Sequence, residues 1–416
     1  MRAAAVSTSL LVLLTLSACS GSGTTPADDP PAPAAPTPAP SSATPTAGAT
    51  GPSTPSATPT AEPTPEGFPE LEVEVLADDL TLPWDVDELA GGGLLVTEKE
   101  SGRILLLDGD QRRELSGGPS GLWSSGETGL MSIVVDPSDE DRFLTCHGHS
   151  DGGATDVRVV EWTLDEDRTQ ATEGDALITG IESTTGRHGG CRMEVSPDGE
   201  LFVGTGDAAV GTNPRDLTSL NGKVLRADAG TGDPLPDNPF ADSDDAATQL
   251  VWTYGHRNVQ GLAVVDGTVW SAEHGPDVDD EVNRLEAGGD YGWDPVPAGG
   301  GGGYDESVPM TDDDLDGDQV AAAWSSGDPT LATSGMTLVE GAEWGGYAGG
   351  LAVATLKAQQ MLFLPLDDGE VGEARVPEVL TEHGRLRSVT QAADGALLVT
   401  TSNGSDDELL RVTPRS

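Results

Sequence analysis

The 416-residue sequence is poor in basic residues, in cysteine and in long apolar runs. Lys and Arg number 21 against 71 Asp and Glu, which gives a formal net charge of −50. A surface this acidic repels nucleic-acid phosphates and anionic lipid headgroups, so it excludes a nucleic-acid partner, and any membrane attachment needs a covalent or spanning anchor. Three Cys are too few for a disulfide scaffold, and the 55 Gly follow no G-X-Y period, which excludes collagen.

The N-terminus has the pattern of an export signal. Arg2 precedes the apolar run Leu10–Leu16, and small residues lead to Cys19. The LSAC sequence at residues 16–19 resembles the bacterial lipobox, in which cleavage leaves the Cys as a lipid-bearing N-terminus. We therefore expect a signal peptide over residues 1–18 and lipidation of Cys19, which would make the protein an exported lipoprotein on the outer face of the bacterial cell membrane. The alternative is an ordinary cleaved signal with an incidental Cys.

The next segment, residues 19–66, is rich in Pro, Ala and Thr. It has 13 Pro between residues 20 and 66 and no aromatic residue. Such a segment cannot bury enough apolar surface to offset its ordering entropy, so we expect a disordered linker tethered through the lipid anchor. Only one base and four acids precede residue 67, so the remaining part, 67–416, carries a formal charge of −47.

Residues 67–416 show strand-like alternation and few amphipathic helical windows. One signature recurs: a Gly or Asp turn, a short apolar strand, then small polar residues. It is anchored at positions 94, 142, 201, 268, 349 and 397, at intervals of 48 to 81 residues. These intervals suit four-stranded antiparallel blades, so the sequence predicts an all-β, six-bladed β-propeller. An early strand, Glu70-LEVEVLA, is expected to complete the last blade. A β-sandwich also has many short strands, but it fits this recurrence poorly.

The two remaining cysteines, Cys146 and Cys191, lie near signature strands of consecutive blades. Because the expected compartment is oxidising, we predict a disulfide between them. Two separate buried thiols are the alternative.

Polar residues that follow the signature strands are expected at one rim of the propeller. His188 lies in a loop before a strand, and Asp207 ends the next strand. A His oriented by a carboxylate is the usual arrangement of a general base near neutral pH, although a His beside Gly-rich turns is more often a solvent-facing loop residue. Four bases near strand ends of the last three blades would form an anion site if they converged, or would pair locally with acids: Arg257, Lys357, Arg385 and Arg387.

Taken together, these stretches resemble the soluble PQQ-dependent glucose dehydrogenase and aldose sugar dehydrogenase family, whose members are six-bladed propellers. The resemblance covers most of residues 71–412. It rests on an ordered series of motifs: Leu82-PWD, Leu95-VTEKESGRI, Gly126-ETGLMSIVVDP, His188-GGCRM, Gly222-KVLR, Tyr254-GHRNVQG, Glu273-HGPDVDDEVN, Gly289-DYGWD, Leu356-K and Arg385-LRSV.

The resemblance implies oxidation of aldoses at C1 to lactones, with PQQ and Ca²⁺ as cofactors and an external electron acceptor. By this likeness His188 is the general base, Asp207 orients it, and Arg257 acts beside them at the quinone end. The residues implied in cofactor binding are Glu127, Arg257, Asn258, Lys357, Arg385 and Arg387. Those implied in metal binding are Gly275 and Pro276 for the Ca²⁺ under the cofactor, and Glu281 and Tyr291 for a second, structural Ca²⁺. PQQ carries three carboxylates and Ca²⁺ takes hard oxygen ligands, so these residue types suit the implied roles.

Three features depart from the glucose enzymes of this family. Glu127 stands where they have Gln, and a carboxylate there would have to be protonated, bonded to Arg or Lys, or turned away from the cofactor. Arg187 stands where they have an acid, and the stretch between Tyr291 and Lys357 is short. These differences favour the broader aldose sugar dehydrogenase branch. Two other hypotheses are a lipid-anchored propeller that binds a carbohydrate or protein partner without turnover, and a Ca²⁺-dependent sugar lactonase.

Three weaker motifs have ordinary explanations. Gly204-TGDAAVG lacks the dinucleotide spacing and follows no βαβ unit. Asp312-DDLDG begins like an EF-hand loop, but Ala323 occupies the position that needs a bidentate Glu, so we expect a solvated acidic loop. Cys146-HGH places two His on one strand face without a clear third zinc ligand, so we expect solvent-facing or pocket-lining histidines.

Overall fold

The computed structural model describes residues 67–297 and 303–415. The predicted signal peptide (1–18), Cys19 and the linker (19–66) lie outside these residues. Within them, no helix has the length and apolar character needed to cross a membrane.

The described chain forms antiparallel sheets arranged as the blades of a propeller. A first strand, β1 (Leu71–Leu80), precedes the blades. Blade one contains β2 (Pro83–Glu88), β3 (Leu94–Glu98), β4 (Ile104–Asp108) and β5 (Gln111–Glu114). Blade two contains β6 (Leu130–Asp136), β7 (Asp139–Ser150), β8 (Thr155–Leu164) and β9 (Ala171–Glu182). Blade three contains β10 (Arg192–Val195), β11 (Glu200–Gly204), β12 (Lys223–Asp228) and β13 (Val251–Tyr254), with the short helix α1 (Ala246–Leu250) before β13.

The second half of the ring repeats this plan. Blade four contains β14 (Val259–Val265), β15 (Thr268–Glu273), β16 (Glu281–Arg284) and β17 (Trp324–Ser325). Blade five contains β18 (Thr333–Leu338), β19 (Leu351–Thr355) and β20 (Met361–Leu364), followed by the hairpin β21 (Leu366–Asp367) and β22 (Glu370–Val371). Blade six contains β23 (Leu386–Gln391), β24 (Leu397–Thr401) and β25 (Asp407–Pro414). Two 3₁₀ helices span Ala342–Tyr347 and Glu378–His383.

The ring closes through the strand that the sequence assigned to the last blade. β1 pairs antiparallel with β25, with Val73 opposite Val412 and Val75 opposite Leu410, so the N-terminal strand is the fourth strand of blade six. The predicted six-bladed propeller is confirmed. All six signature positions belong to the second strand of a blade or the turn before it.

Blade five departs from the predicted four strands. Its sheet has three, and its outer edge is occupied by the β21–β22 hairpin and a single bridge between Phe363 and Arg375. Pro365 and Pro377 flank this region. Because Pro has no N–H to donate to a ladder, a regular outer strand does not extend here.

The second strands explain why the signature was visible. In β19 and β24 every residue is buried, because both faces are covered by neighbouring sheets. Such strands appear as continuous apolar runs. In contrast, the outermost strand β5 is mostly exposed. The first strands of the blades contact one another in the closed order β2, β6, β10, β14, β18, β23, and they surround the central channel.

A disulfide joins blade two to the loop that carries His188. Cys146 in β7 and Cys191 just before β10 are bonded, with Cα atoms 5.8 Å apart, and both are buried. Next to Cys146, His147 is also fully buried and lies 3.0 Å from Thr145 Oγ1 through its Nδ1. Burial lowers the pKa of His147 to about 3. The expectation of a solvent-facing or pocket-lining residue is therefore wrong for His147, because neighbouring sheets cover both faces of β7.

Candidate active site

A pocket of ≈ 310 Å³ lies where the loops after several second strands meet. Its lining combines a His, several cations and carboxylates: Glu127, Arg187, His188, Arg257, His274, Gly275, Pro276, Asp280, Thr330, Ala332 and Lys357. A larger groove of ≈ 570 Å³, between the outer strands of blades six and one, has no His in its lining. We call the smaller pocket the mouth.

The mouth holds a buried His–Asp pair. His188 Nδ1 lies 2.7 Å from Asp207 Oδ1, and the two residues are 4% and 0% exposed. The bond engages Nδ1, which leaves Nε2 for a group in the mouth. Two glycines allow the two loops to approach so closely: a Cβ at Gly206 would collide with the His188 carbonyl, and a Cβ at Gly190 would collide with the Gly206 amide.

The Asp207 carboxylate is held by three further donors. Trp293 Nε1 donates to Oδ2 at 2.8 Å, Tyr304 Oη donates to Oδ2 at 2.7 Å, and the Ala209 amide donates to Oδ1 at 2.7 Å. Burial, together with the nearby Asp207 charge, raises the pKa of Tyr304 well above its usual value. The tyrosine therefore stays a protonated donor near neutral pH. Neither Trp293 nor Tyr304 was predicted from the sequence as a donor to Asp207, although Trp293 lies in the Gly289-DYGWD motif.

Arg257 lies beside this pair and is almost completely buried. It donates to the His274 carbonyl at 2.9 Å and to Glu306, and its guanidinium lies 5.7 Å from the Trp293 ring centroid. Its Nε is buried without a hydrogen-bond partner among the described residues. Glu306 also accepts a bond from Arg187. Burial opposes ionisation of Glu306, but these two arginines outweigh it and hold its pKa below the usual range.

Asn258 is fully buried and links two parts of the mouth. Its Oδ1 accepts from the Gly190 amide at 3.1 Å, and its Nδ2 donates to Glu127 at 3.0 Å. The Glu127 side chain is therefore bonded to an amide. We expected Glu127 to be protonated, bonded to Arg or Lys, or turned away from the cofactor. A hydrogen bond from the Asn258 amide was not among these alternatives.

Of the three cations expected to hold cofactor carboxylates, only Lys357 lines the mouth. Lys357 is exposed, and its Nζ donates to Thr330 Oγ1 at 2.8 Å. Arg387 lies between the first strands of the blades, where it donates to Gln260 at 2.9 Å, and burial and the Arg192 charge lower its pKa to about 10. Arg385 is exposed, and its Nε donates to the Ser402 carbonyl at 3.1 Å.

Gly275 and Pro276 line the same pocket as His188. The Gly275 amide donates to Asp280 Oδ1 at 2.9 Å, and the Leu331 amide donates to Asp280 Oδ2 at 2.6 Å, so a buried carboxylate fixes this turn. Among the described residues, no hydrogen bond is found to the carbonyl oxygens of Gly275 or Pro276. Free carbonyl oxygens are ligands that Ca²⁺ accepts, so the turn fits the ion. No cluster of three or more His, Cys, Asp or Glu suited to a metal occurs in residues 67–297 and 303–415.

The residues implied in a second Ca²⁺ site have separate side-chain partners. Glu281 accepts from Thr311 at 3.2 Å, and burial, with Glu273 nearby, raises the pKa of Glu281 to about 8. The Tyr291 hydroxyl instead donates to the Arg284 carbonyl at 2.7 Å. Any shared site for these two residues would have to use the backbone carbonyl of Tyr291.

The fold and the mouth define a class: a six-bladed propeller whose loops bring a buried His–Asp pair, an exposed Lys and free carbonyls into one central pocket. The family model for glucose/sorbosone dehydrogenases matches residues 80–411, so the chain belongs to this family, which confirms the resemblance seen in the motifs.

Individual relatives cover most of the chain. The aldose sugar dehydrogenase YliI of Escherichia coli (strain K12) is 28% identical over 365 residues, which cover 83% of this chain and 94% of that protein. An apo-form crystal structure of the Escherichia coli aldose sugar dehydrogenase has a TM-score of 0.74 and matches over 83% of this chain and 100% of that one. The PQQ-bound form of an aldose sugar dehydrogenase from Streptomyces coelicolor is 29% identical, with a TM-score of 0.66 over 83% of this chain and 99% of that one.

Proposed function

We propose that the protein is a PQQ- and Ca²⁺-dependent aldose sugar dehydrogenase that oxidises the sugar C1 hydroxyl to a lactone and passes the electrons to an external acceptor. The observation that carries the proposal is the His188–Asp207 pair, whose His188 lines the same pocket as Arg257 and Lys357. The PQQ-bound relative from Streptomyces coelicolor supports the choice of cofactor.

The residues present suit both cofactors. Lys357 would bind a cofactor carboxylate, and Arg257, which lines the same pocket, would add a second positive charge. Arg385 and Arg387 do not line the pocket, so their expected contact with the cofactor stays a prediction. The free carbonyls of Gly275 and Pro276 would hold Ca²⁺. When bound, PQQ supplies the two-electron acceptor and Ca²⁺ supplies Lewis acidity.

The side chains of the mouth account for the proton chemistry. His188 Nε2 would accept the proton of the C1 hydroxyl, since its Nδ1 is committed to Asp207. Asp207 fixes the ring orientation and stabilises the imidazolium that forms. A positioned general base typically contributes about 10²–10⁴-fold to the rate.

Reconstitution tests the proposal. We expect the protein loaded with PQQ and Ca²⁺ to reduce an artificial dye when aldoses are added, and expect no reduction when PQQ is omitted or Ca²⁺ is chelated. Binding of sugar without dye reduction would favour a non-catalytic carbohydrate-binding propeller. Failure to bind PQQ would reject the dehydrogenase proposal.

We also propose that the protein acts outside the cytoplasmic membrane, tethered by a lipid on Cys19. The support is the LSAC sequence behind the apolar run of the N-terminus. Expression in a bacterium with lipoprotein processing should place the wild type in the membrane fraction and release Cys19→Ser from it. Equal partitioning of the two proteins would contradict the anchor.

A further inference from the structure

A short segment, residues 303–306, crosses the side of the mouth that carries the base. Its Tyr304 hydroxyl donates to Asp207 and lies 3.2 Å from His188 Nδ1. Two residues later, Glu306 accepts bonds from Arg187 and Arg257. The Arg187 guanidinium also lies 5.4 Å from the Tyr304 ring centroid. The segment therefore contacts both members of the His–Asp pair and the residue that precedes the base.

The hydrogen bonds to Asp207 distribute its negative charge. Oδ1 accepts from His188 and the Ala209 amide, while Oδ2 accepts from Trp293 and Tyr304. A carboxylate that shares its charge among several donors attracts the proton on His188 Nδ1 less strongly than a carboxylate with one donor. Removal of one donor should therefore favour the imidazolium.

We propose that Tyr304 is a positioning residue that tunes His188 through Asp207: its hydrogen bond to Asp207 keeps His188 in the proton-accepting form at lower pH. The kinetic consequence rests on the proposed function, whereas the protonation of His188 does not. The other charged or titratable groups around His188 come from every element at the mouth: Arg187, Arg257, Glu127, His274, Asp280, Glu306 and Lys357.

The Tyr304 hydroxyl has two opposite effects on the stability of the His188 imidazolium. Its proton weakens the pull of Asp207 on the imidazolium, whereas its oxygen, 3.2 Å from Nδ1, would stabilise that form as an acceptor. The bond to Asp207 is shorter, at 2.7 Å, and involves a charged acceptor. His188 Nδ1 carries a single proton, and Asp207 Oδ1 at 2.7 Å accepts it more directly than the tyrosine oxygen does, so the first effect dominates.

The test is an NMR titration of the histidine rings in the full-length protein without PQQ. The chain has six His, and the His188 signal is assigned by its loss in His188→Gln. In Tyr304→Phe we expect the His188 midpoint to rise by about half to one pH unit. Trp293→Phe removes the other donor to the same oxygen, so it should shift the midpoint in the same direction and provides the test if Tyr304→Phe does not fold.

The matched control is Tyr347→Phe, which removes a hydroxyl from a buried tyrosine in blade five. It should leave the His188 midpoint unchanged. An unchanged or lower midpoint in a folded Tyr304→Phe protein would overturn the proposal. If the enzyme is active, the acid limb of its kcat/KM profile should move up with the midpoint. If the midpoint shifts but no dehydrogenase activity is found, the proposed function fails and the role of Tyr304 stands.

Discussion

The two walls of the mouth differ in how their polar groups are satisfied. On the base wall, formed by His188, Asp207 and their donors, every carboxylate oxygen has protein partners and both residues are buried. On the ligand wall, formed by Lys357, Gly275 and Pro276, an exposed ammonium makes one hydrogen bond and two carbonyls have none among the described residues. One wall is preorganised by the chain itself, as catalysis requires. The other presents groups that a ligand can satisfy.

Disrupting the base wall should have the largest effect. Asp207→Asn replaces an acceptor of four donors with a group that is itself partly a donor, so it disturbs the orientation of His188. We expect kcat of the loaded enzyme to fall by about 10²–10⁴-fold, with PQQ affinity retained. Steady-state dye reduction and a PQQ titration measure the two quantities. Asp198→Asn, in an exposed turn, is the control, and a kcat of Asp207→Asn equal to that of the control would contradict the account.

The base wall also depends on the Cys146–Cys191 disulfide, which holds the end of the His188 loop against blade two. Replacing both cysteines with Ser should lower the free energy of unfolding by about 2–5 kcal/mol, the usual cost of losing a native disulfide. Denaturant unfolding without reductant measures the change. Cys19→Ser, outside the described residues, should leave the midpoint unchanged. Equal midpoints for the double variant and wild type would show that the loop does not need this link.

A substitution in the ligand wall should weaken the binding of PQQ without changing the stability of the apoprotein. Lys357→Ala removes an exposed ammonium, so we expect PQQ to bind roughly ten- to a hundredfold more weakly, as for the loss of a hydrogen bond to a charged group worth ~1.5–3 kcal/mol. The thermal unfolding of the apoprotein should not change. Arg112→Ala, an exposed base far from the mouth, serves as the control. Unaltered PQQ affinity in Lys357→Ala would remove this residue from the ligand wall.

The smallest effect is expected from a substitution of Glu194, which lies in β10, one of the first strands around the central channel. Burial, together with Asp87 nearby, raises the pKa of Glu194 to about 8 from 4.5. The folded protein therefore holds this proton more tightly than the unfolded chain, so Glu194 makes stability fall as pH rises between about 4.5 and 8. Glu194→Gln should unfold a few degrees higher than wild type at pH 8.5, and the difference should shrink toward pH 4.

Thermal unfolding at both pH values measures the effect, with the exposed Glu100→Gln as control. A pH-independent difference between Glu194→Gln and wild type would contradict this explanation. Activity should be unaffected, because the substitution touches neither wall.

The sequence was informative where a residue's environment is set locally. The second strand of each blade is buried on both faces, so its apolar run and preceding turn recur and predict six blades. The irregular edge of blade five was not predicted, because it depends on where Pro365 and Pro377 fall relative to the neighbouring strands. The spacing of His188 and Asp207 was readable because both lie at the ends of consecutive strands in one blade.

The residues that reach the mouth from distant loops could not be predicted from the sequence. Tyr304 and Glu306 follow a glycine-rich run without periodicity, and their partners lie 97 and 49 positions away in Asp207 and Arg257. Only the packing of neighbouring blades brings these residues together. The same limit applies to Arg387, whose position near a strand end suggested the mouth but whose side chain lies among the first strands of the blades.

The role of His188 is tested most directly by following cofactor reduction in a single turnover of His188→Ala loaded with PQQ and Ca²⁺. We expect this variant to bind PQQ as tightly as wild type, because the ligand wall is intact. We also expect reduction by an added aldose to be at least about 10²-fold slower than in wild type, because the base is missing. Reduction at the wild-type rate would contradict the assignment of His188 as the base.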